Sequence, residues 1–540
     1  MGGILLSMTH VSAYDTTLRD GAQMEGIALS VADKLRLLHV IDDLGVDYIE
    51  GGWPGAIPKD TEFFKEATKM TLKHAKLTAF GATCKVDTEA KSDPQVIALR
   101  DSEAPVITLV AKSDPRHVAE ALRTTLQENL RMVADTVSFL ATTQEVMVDL
   151  EHYFDGLEFD SDYGIEVALV AAESGASTII CCDTNGGNLP NTISAHVNRL
   201  REALDAGGMH SVQIGIHAHN DTGCATANSL AGIQAGATQV QGTINGYGER
   251  TGNANLLTCI ANLQLKLGFD VIPEQCMKRL SSTAFKVAEI ANMGAFAREP
   301  YVGHSAFAHK AGLHASAIKV NPDLYQHMNP DDVGNSMRML VSEMAGRASI
   351  ELKATELGID LGGNKQLTGK VAAIVKEREA QGYAYDAADA SFELLLRDAL
   401  GGAPRYWRLE SWKVTTREDF GAGDAVFGES EATVKLQADG RHISTAEGNG
   451  PVNALDHAMR DALEGIYPEV DRFRLRNFKV RILDEDRGGT DALTRVLIDT
   501  EVDDALWTTV GVGTNVIEAS WEALLAAYQF GLMKLGVKPV

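Results

Sequence analysis

Short apolar, β-branched runs alternate with stretches of helical period through the first half of the chain. The runs predict strands at Val11–Thr16, Asp47–Gly51, Leu77–Gly81, Val106–Ala111, Val146–Glu151, Thr178–Asp183, Val212–His219 and Gln239–Asn245. Between them, Asp33–Leu44 and Pro115–Leu140 carry amphipathic helical spacing, and Ile165–Glu173 runs into Gly175, a helix stop. Eight strands alternating with helices over this span match the count and size of a (β/α)8 TIM barrel, for which ~250 residues is typical. A doubly wound open sheet is the rival, but it usually has fewer repeats. The pattern favours the barrel.

From about Leu267 to Lys376 the strand signal fades and the chain reads as mostly helical, with periodic stretches at Ser281–Asn292 and Gly369–Gln381. Gly362 and Gly363 mark a hinge or turn, and Ala387–Leu400 reads as a further helix. Gly401, Gly402 and Pro404 then mark a boundary, after which strands return at Tyr406–Thr415, Ala432–Gln437, Phe478–Leu483 and Thr494–Glu501. Two Gly-x-Gly runs, Gly448–Gly450 and Gly511–Gly513, each precede an amphipathic helix, which points to a duplicated α+β module. A lone Gly-x-Gly before a helix is weak evidence for a nucleotide loop, and plain turn geometry is the better reading. The expected division is a barrel over 1–267, helical linker subdomains over 268–400 and a small α+β domain over 401–540.

Composition narrows the partners. The 540 residues are 45% hydrophobic and 23% charged, ordinary for a globular protein, with a formal net charge of -25. Such an acidic chain argues against nucleic acid or an anionic membrane as a general partner, since both need basic surface. The six cysteines are scattered without a CxxC pair, so neither a zinc ribbon nor a disulfide framework is indicated. Met1–Thr9 is too short for a secretory leader and no apolar run approaches ~18 residues, so the cytoplasm is the expected compartment.

The chemistry concentrates at the C-terminal ends of the first, seventh and eighth strands. In His217-Ala-His219 the two imidazoles lie two residues apart, so a strand turns both to one side. In a closed barrel the first strand lies near the seventh and eighth, and Asp20, in DTTLRDGAQ (15–23), can bring a carboxylate to the same point. Two imidazoles and one carboxylate with open positions suit a catalytic divalent ion better than a closed structural zinc. The donors admit Mg, Mn, Co or Zn. The Gly-rich loop GYGERTGN (246–253) fails the GxGxxG spacing and reads instead as bringing Asn253 toward the ion, with Glu249 and Arg250 behind it.

DTTLRDGAQ, HAHND (217–221) and GYGERTGN, in this order and at these distances, resemble the 2-isopropylmalate, homocitrate and citramalate synthase family. The likeness runs to GVGTNVIEASWEALL (511–525), similar to the end of that family's regulatory domain. YIEGGWPG (48–55) and CDTNGG (182–187) look most like the citramalate branch. The resemblance implies that Asp20, His217 and His219 hold a divalent metal ion, with Asn253 as a further or water-mediated ligand. It implies that Arg19 polarises the keto group of a bound 2-oxo acid and that Thr184 hydrogen-bonds the acid's carboxylate. It assigns catalysis to Glu151, His314 and Tyr325. The co-substrate would be acetyl-CoA, whose methyl group must lose a proton to a positioned base. Glu151 and His314 both qualify, and the residues do not choose between them.

The same resemblance implies a homodimer in which His314 and Tyr325 reach the partner's barrel, and a C-terminal module that binds a feedback inhibitor, isoleucine for a citramalate product. One departure stands out. Ala315-Ser316-Ala317 follow His314 where many isopropylmalate synthases carry an acidic residue and glycine. The departure moves the reading away from that branch and leaves the acyl-CoA pocket unassigned. The alternatives are an isopropylmalate synthase, a hydroxymethylglutaryl-CoA lyase-like enzyme, which the long C-terminal module disfavours, and a non-catalytic amino-acid sensor.

Overall fold

The computed structural model describes residues 9–420, 426–483, 492–503 and 505–540. Most of the segment weighed above as a leader, residues 1–8, lies outside them. The chain divides into two compact units, Met1–Phe307 with Asn329–Ser336 and Ala308–Met328 with Met337–Val540.

The first unit is a closed barrel of eight parallel strands, β1 (Ser12–Asp15), β2 (Tyr48–Gly52), β3 (Lys76–Ala82), β4 (Val106–Lys112), β5 (Glu145–Glu151), β6 (Thr178–Asp183), β7 (Gln213–Ala218) and β8 (Gln239–Gly242). β1 pairs with β8, with Tyr14 opposite Gln241, and this pairing closes the ring. The strands are almost wholly buried, as expected where helices cover the outside and side chains fill the inside. Tyr14, Tyr48, Val106, Met147, Ile180 and Cys182 pack together as one cluster of that filling. Local signals set the helix starts. Ser30 and Asp33 form a capping box, Asp93 and Thr125 cap their helices, and proline stands in the first turn at Pro58, Pro94 and Pro190.

Two predicted elements differ. The periodic stretch Pro115–Leu140 is broken: a short turn of helix at Pro115–His117 and a π-turn at Val118–Leu122 end at Arg123, whose φ of 57° is left-handed. A new helix, Leu126–Leu140, then starts from the Thr125 cap, so apolar spacing alone ran across a real break. β8 ends at Gly242 rather than Asn245, because Ile244–Gly246 turns sharply with Asn245 at φ 61°. The returning chain passes so close that a side chain at Gly242 would meet Ala254 O at 2.5 Å.

The second unit holds the helices Gly312–Ile318, Arg347–Glu356, Lys365–Ala380 and Asp389–Ala399, and a short parallel pair, Ala308–His309 with Arg338–Met339. Two copies of a strand–strand–strand–helix module follow. The first comprises Arg408–Phe420, Val426–Gln437, Arg441–Gly448 and the helix Pro451–Leu463. The second comprises Arg474–Ile482, Thr494–Val502, Ala505–Gly513 and the helix Val516–Lys534. Both helices bury one face in a shared core that includes Leu455, Met459, Phe473, Trp507, Trp521 and Tyr528. The Gly-x-Gly runs serve packing: a side chain at Gly448 would strike the Ala454 backbone at 2.4 Å, and one at Gly511 would strike Ala519 O at 2.1 Å. Among the described residues no helix is long and apolar enough to cross a membrane.

Candidate active site

The barrel mouth opens into a cavity of about 770 Å³ whose lining includes Arg19, Asp20, Glu151, Thr184, His217 and His219. The loop after β1 folds back at once, with the N–H groups of Arg19, Asp20 and Gly21 all donating to Thr16 O. Thr17 Oγ1 donates to Asp15 and accepts from the Ile244 N–H, which ties this loop to the one after β8. Asp20 is thereby set beside the end of β7.

Among the described residues, Asp20, His217 and His219 are the group whose ligand atoms all lie within 4.8 Å of one another, and all three are buried. His217 Nε2 stands 3.1 Å from Asp20 Oδ2, and His219 Nε2 3.9 Å from the same oxygen. Asn253 joins them, its Nδ2 donating to Asp20 Oδ2 at 2.8 Å and lying 3.1 Å from His217 Nε2. Gly248 makes room for that amide: with φ at +152°, a side chain there would meet Asn253 Oδ1 at 1.9 Å.

Burial opposes ionisation of Asp20, but the Arg19 charge and the two histidines outweigh it and hold the carboxyl well below its usual range. Burial, reinforced by His217, lowers the His219 imidazole to about 4. Burial also acts to lower His217, yet the hydrogen bond and charge of Asp20 outweigh it and raise it. His219 Nδ1 and Asn253 Oδ1 are buried with no hydrogen-bond partner among the described residues. A carboxylate and two imidazole nitrogens at one point, with an unsatisfied amide oxygen on the adjoining Asn253, fit a divalent cation.

Arg19 is gripped from three sides. Its Nε donates to Glu50 Oε1 at 2.5 Å, its guanidinium lies 3.8 Å over the Phe80 ring, and its Nη1 is 3.6 Å from Asp20. Glu50 Oε2 in turn accepts from the Tyr14 hydroxyl at 2.6 Å. Glu151, at the end of β5, pairs with Lys112 at the end of β4. Thr184 Oγ1 accepts the His152 N–H at 2.9 Å, which leaves its own hydroxyl hydrogen free to donate. Arg250 clamps the rim with two 2.8 Å bonds to Asp221 and one of 2.9 Å to Thr184 O.

His314 and Tyr325 belong to the second unit, where their rings stack at 4.1 Å with His309 beyond. Sequence reasoning passed over Glu50, Lys112 and Gln241. The signal was a polar residue within a barrel strand: Glu50 in YIEGG, Lys112 beside Thr108 in VITLVAK, and Gln241 beside Gln239 in QVQG.

Comparison with known proteins decides the family. The chain is 57% identical over 530 residues to the (R)-citramalate synthase of Streptomyces coelicolor, covering 97% of each. The chain belongs to the citramalate synthase family. The citramalate synthase of Aquifex aeolicus is 47% identical over 97% of this chain and 98% of its own length. A 2-isopropylmalate synthase from Methanocaldococcus jannaschii is more distant, at 30% over 95% of this chain and 93% of its own. Three family models match in succession, HMGL-like over residues 10–292, homocitrate synthase post-HMGL domain-like over 301–382, and LeuA allosteric (dimerisation) domain over 386–532. As a citramalate synthase family member, the chain is an acyltransferase, and its barrel brings Asp20, His217 and His219 together as a group that could hold a divalent metal ion.

Proposed function

We propose that this enzyme condenses acetyl-CoA with pyruvate and water to give (R)-citramalate and CoA. The observation that carries the reading is the convergence of Asp20, His217, His219 and Asn253 beside Arg19, in one cavity with Glu151 and Thr184. The higher identity to citramalate synthases than to isopropylmalate synthases supports pyruvate as the acceptor.

Asp20, His217, His219 and Asn253 would hold a divalent cation, one of Mg, Mn, Co or Zn, which would supply Lewis-acid polarisation of the bound keto acid. Arg19, fixed by Glu50 and Phe80, adds a preorganised positive charge where the keto oxygen becomes negative. Thr184 holds the acceptor's carboxylate through its free hydroxyl hydrogen. The acetyl methyl group gives a proton to a base, its carbon bonds to the keto carbon, and the keto oxygen ends as a hydroxyl. Water then adds at the thioester carbonyl, the C–S bond breaks and CoA leaves as the thiol. Glu151 and His314 are the two candidate bases, with Tyr325 stacked on His314. Separate pH profiles of Glu151→Gln and His314→Asn identify which one titrates in kcat.

The C-terminal modules bind the feedback inhibitor, isoleucine, and the enzyme works as a cytoplasmic homodimer. The test of the whole reading is thiol release from acetyl-CoA with pyruvate. It is expected in the metal-loaded protein, lost with a chelator and in His217→Ala, and regained on adding metal back to the parent. Absence of thiol release from the metal-loaded parent with every 2-oxo acid would overturn it.

A further inference from the structure

Gln241 sits on β8 directly opposite His217 on β7, a pairing set by the barrel register. It is completely buried. Its Oε1 stands 2.8 Å from His217 Nδ1. Its Nε2 faces the other way, 3.4 Å from Asp149 Oδ1 and 3.3 Å from Gln239 Oε1. Gln239 is itself oriented, with its Nε2 on the Met147 sulfur at 3.5 Å and its oxygen turned toward Gln241.

The two ends of this amide therefore meet different company. Two oxygens lie on its nitrogen side, so turning it over would set its own oxygen against both of them. The amide oxygen is held toward His217, and an amide oxygen only accepts. Nδ1 of His217 consequently carries the hydrogen, and in the neutral ring the lone pair falls on Nε2, the atom beside Asp20. The opposite tautomer would place a hydrogen on Nε2 and close it to a cation. His219 has no such arrangement, since its Nδ1 has no partner among the described residues.

We infer that Gln241, oriented by Asp149 and Gln239, is the positioning residue that sets the tautomer of His217 for metal binding. The inference rests on the metal-centre reading above, and it concerns a residue that touches neither substrate nor cation. Partners behind a metal-ligating histidine are typically worth ~10–100-fold in affinity.

The experiment titrates the metal-free full chain with Mn2+, reading free Mn2+ by electron paramagnetic resonance. Gln241→Leu keeps the shape and removes the acceptor, and its Kd should rise by ~10–100-fold. Gln241→Glu restores an acceptor toward Nδ1 and should recover most of that loss. The second readout is the 15N spectrum of histidine-labelled, metal-free protein well above neutral pH. The parent should show His217 as the Nδ1–H tautomer, and Gln241→Leu should shift it toward Nε2–H while His219 stays unchanged. An unaltered Mn2+ Kd in Gln241→Leu, or a parent His217 in the Nε2–H form, would overturn the inference. If Gln241→Leu fails to fold by circular dichroism, the parent tautomer still decides. A parent whose weak Mn2+ binding is indifferent to His217→Ala would instead sink the metal-centre reading, a distinct outcome.

Discussion

Replacing Glu50 with alanine removes the carboxylate that holds Arg19 in place. Glu50 is completely buried and Arg19 nearly so, and their contact is a charge-assisted bond of 2.5 Å. Without Glu50, Arg19 keeps Asp20 at 3.6 Å and the more distant Asp149 as acidic neighbours, while Tyr14 keeps Thr108 at 2.7 Å and so loses little. Stranding one member of a buried pair costs ~3–5 kcal/mol. At roughly 2–4 °C per kcal/mol for a domain of this class, the melting temperature should fall by about 6–20 °C. Glu50→Gln keeps an acceptor for Arg19 and gives up only the charge, so its loss should be ~1–3 kcal/mol. Function should suffer more than stability. The released guanidinium is free to swing onto Asp20, and losing an aligned charge at a developing oxyanion costs ~100–1000-fold in kcat. Calorimetry and thiol-release kinetics on the parent and both variants read the two effects together. A Glu50→Ala protein that melts within ~1 °C of the parent and keeps kcat within threefold would refute the argument that this buried pair positions Arg19.

Other consequences follow from single features. Gly248→Ala forces a side chain into the place of Asn253 Oδ1 and should weaken metal binding ~10-fold or more by isothermal titration while the barrel remains folded. Asp15 is completely buried, and burial raises its carboxyl to about 7. The unfolded carboxyl ionises near ~3.9, so the folded state holds the extra proton between those values and stability falls as pH rises through that window. Asp15→Asn should therefore gain stability relative to the parent at pH 8, up to ~4 kcal/mol, and little at pH 4, as urea denaturation at the two values would show. Chelation should lower the melting temperature as well as abolish turnover, because a cation present at ~100 times its Kd stabilises the fold by ~2.7 kcal/mol.

The barrel was legible because its strands are continuous β-branched runs bounded by turns, and the HxH pair was legible because period two is a local rule. Glu50, Lys112 and Gln241 were not. Each is a polar residue in a barrel strand, and its meaning depends on which residue a neighbouring strand or loop brings against it. The pairing of His217 with Gln241 joins positions 24 apart in sequence, and that of Arg19 with Glu50 joins positions 31 apart. The break at Arg123 was hidden because apolar spacing continues across it. The strand Arg441–Gly448 also escaped, since its residues alternate between exposed and half-buried and never show an apolar face.

The most direct measurement offers metal-loaded enzyme and acetyl-CoA an equimolar mixture of pyruvate, 2-oxobutyrate, 2-oxoisovalerate and 2-oxoglutarate, and identifies the products by mass. Pyruvate and 2-oxoisovalerate differ by two methyl groups, each worth ~1–3 kcal/mol in a fitted pocket, so the preference should exceed ~10-fold. Citramalate should be the dominant product, with none formed when a chelator is present. A mixture dominated by isopropylmalate or homocitrate would contradict the assignment of pyruvate as the acceptor.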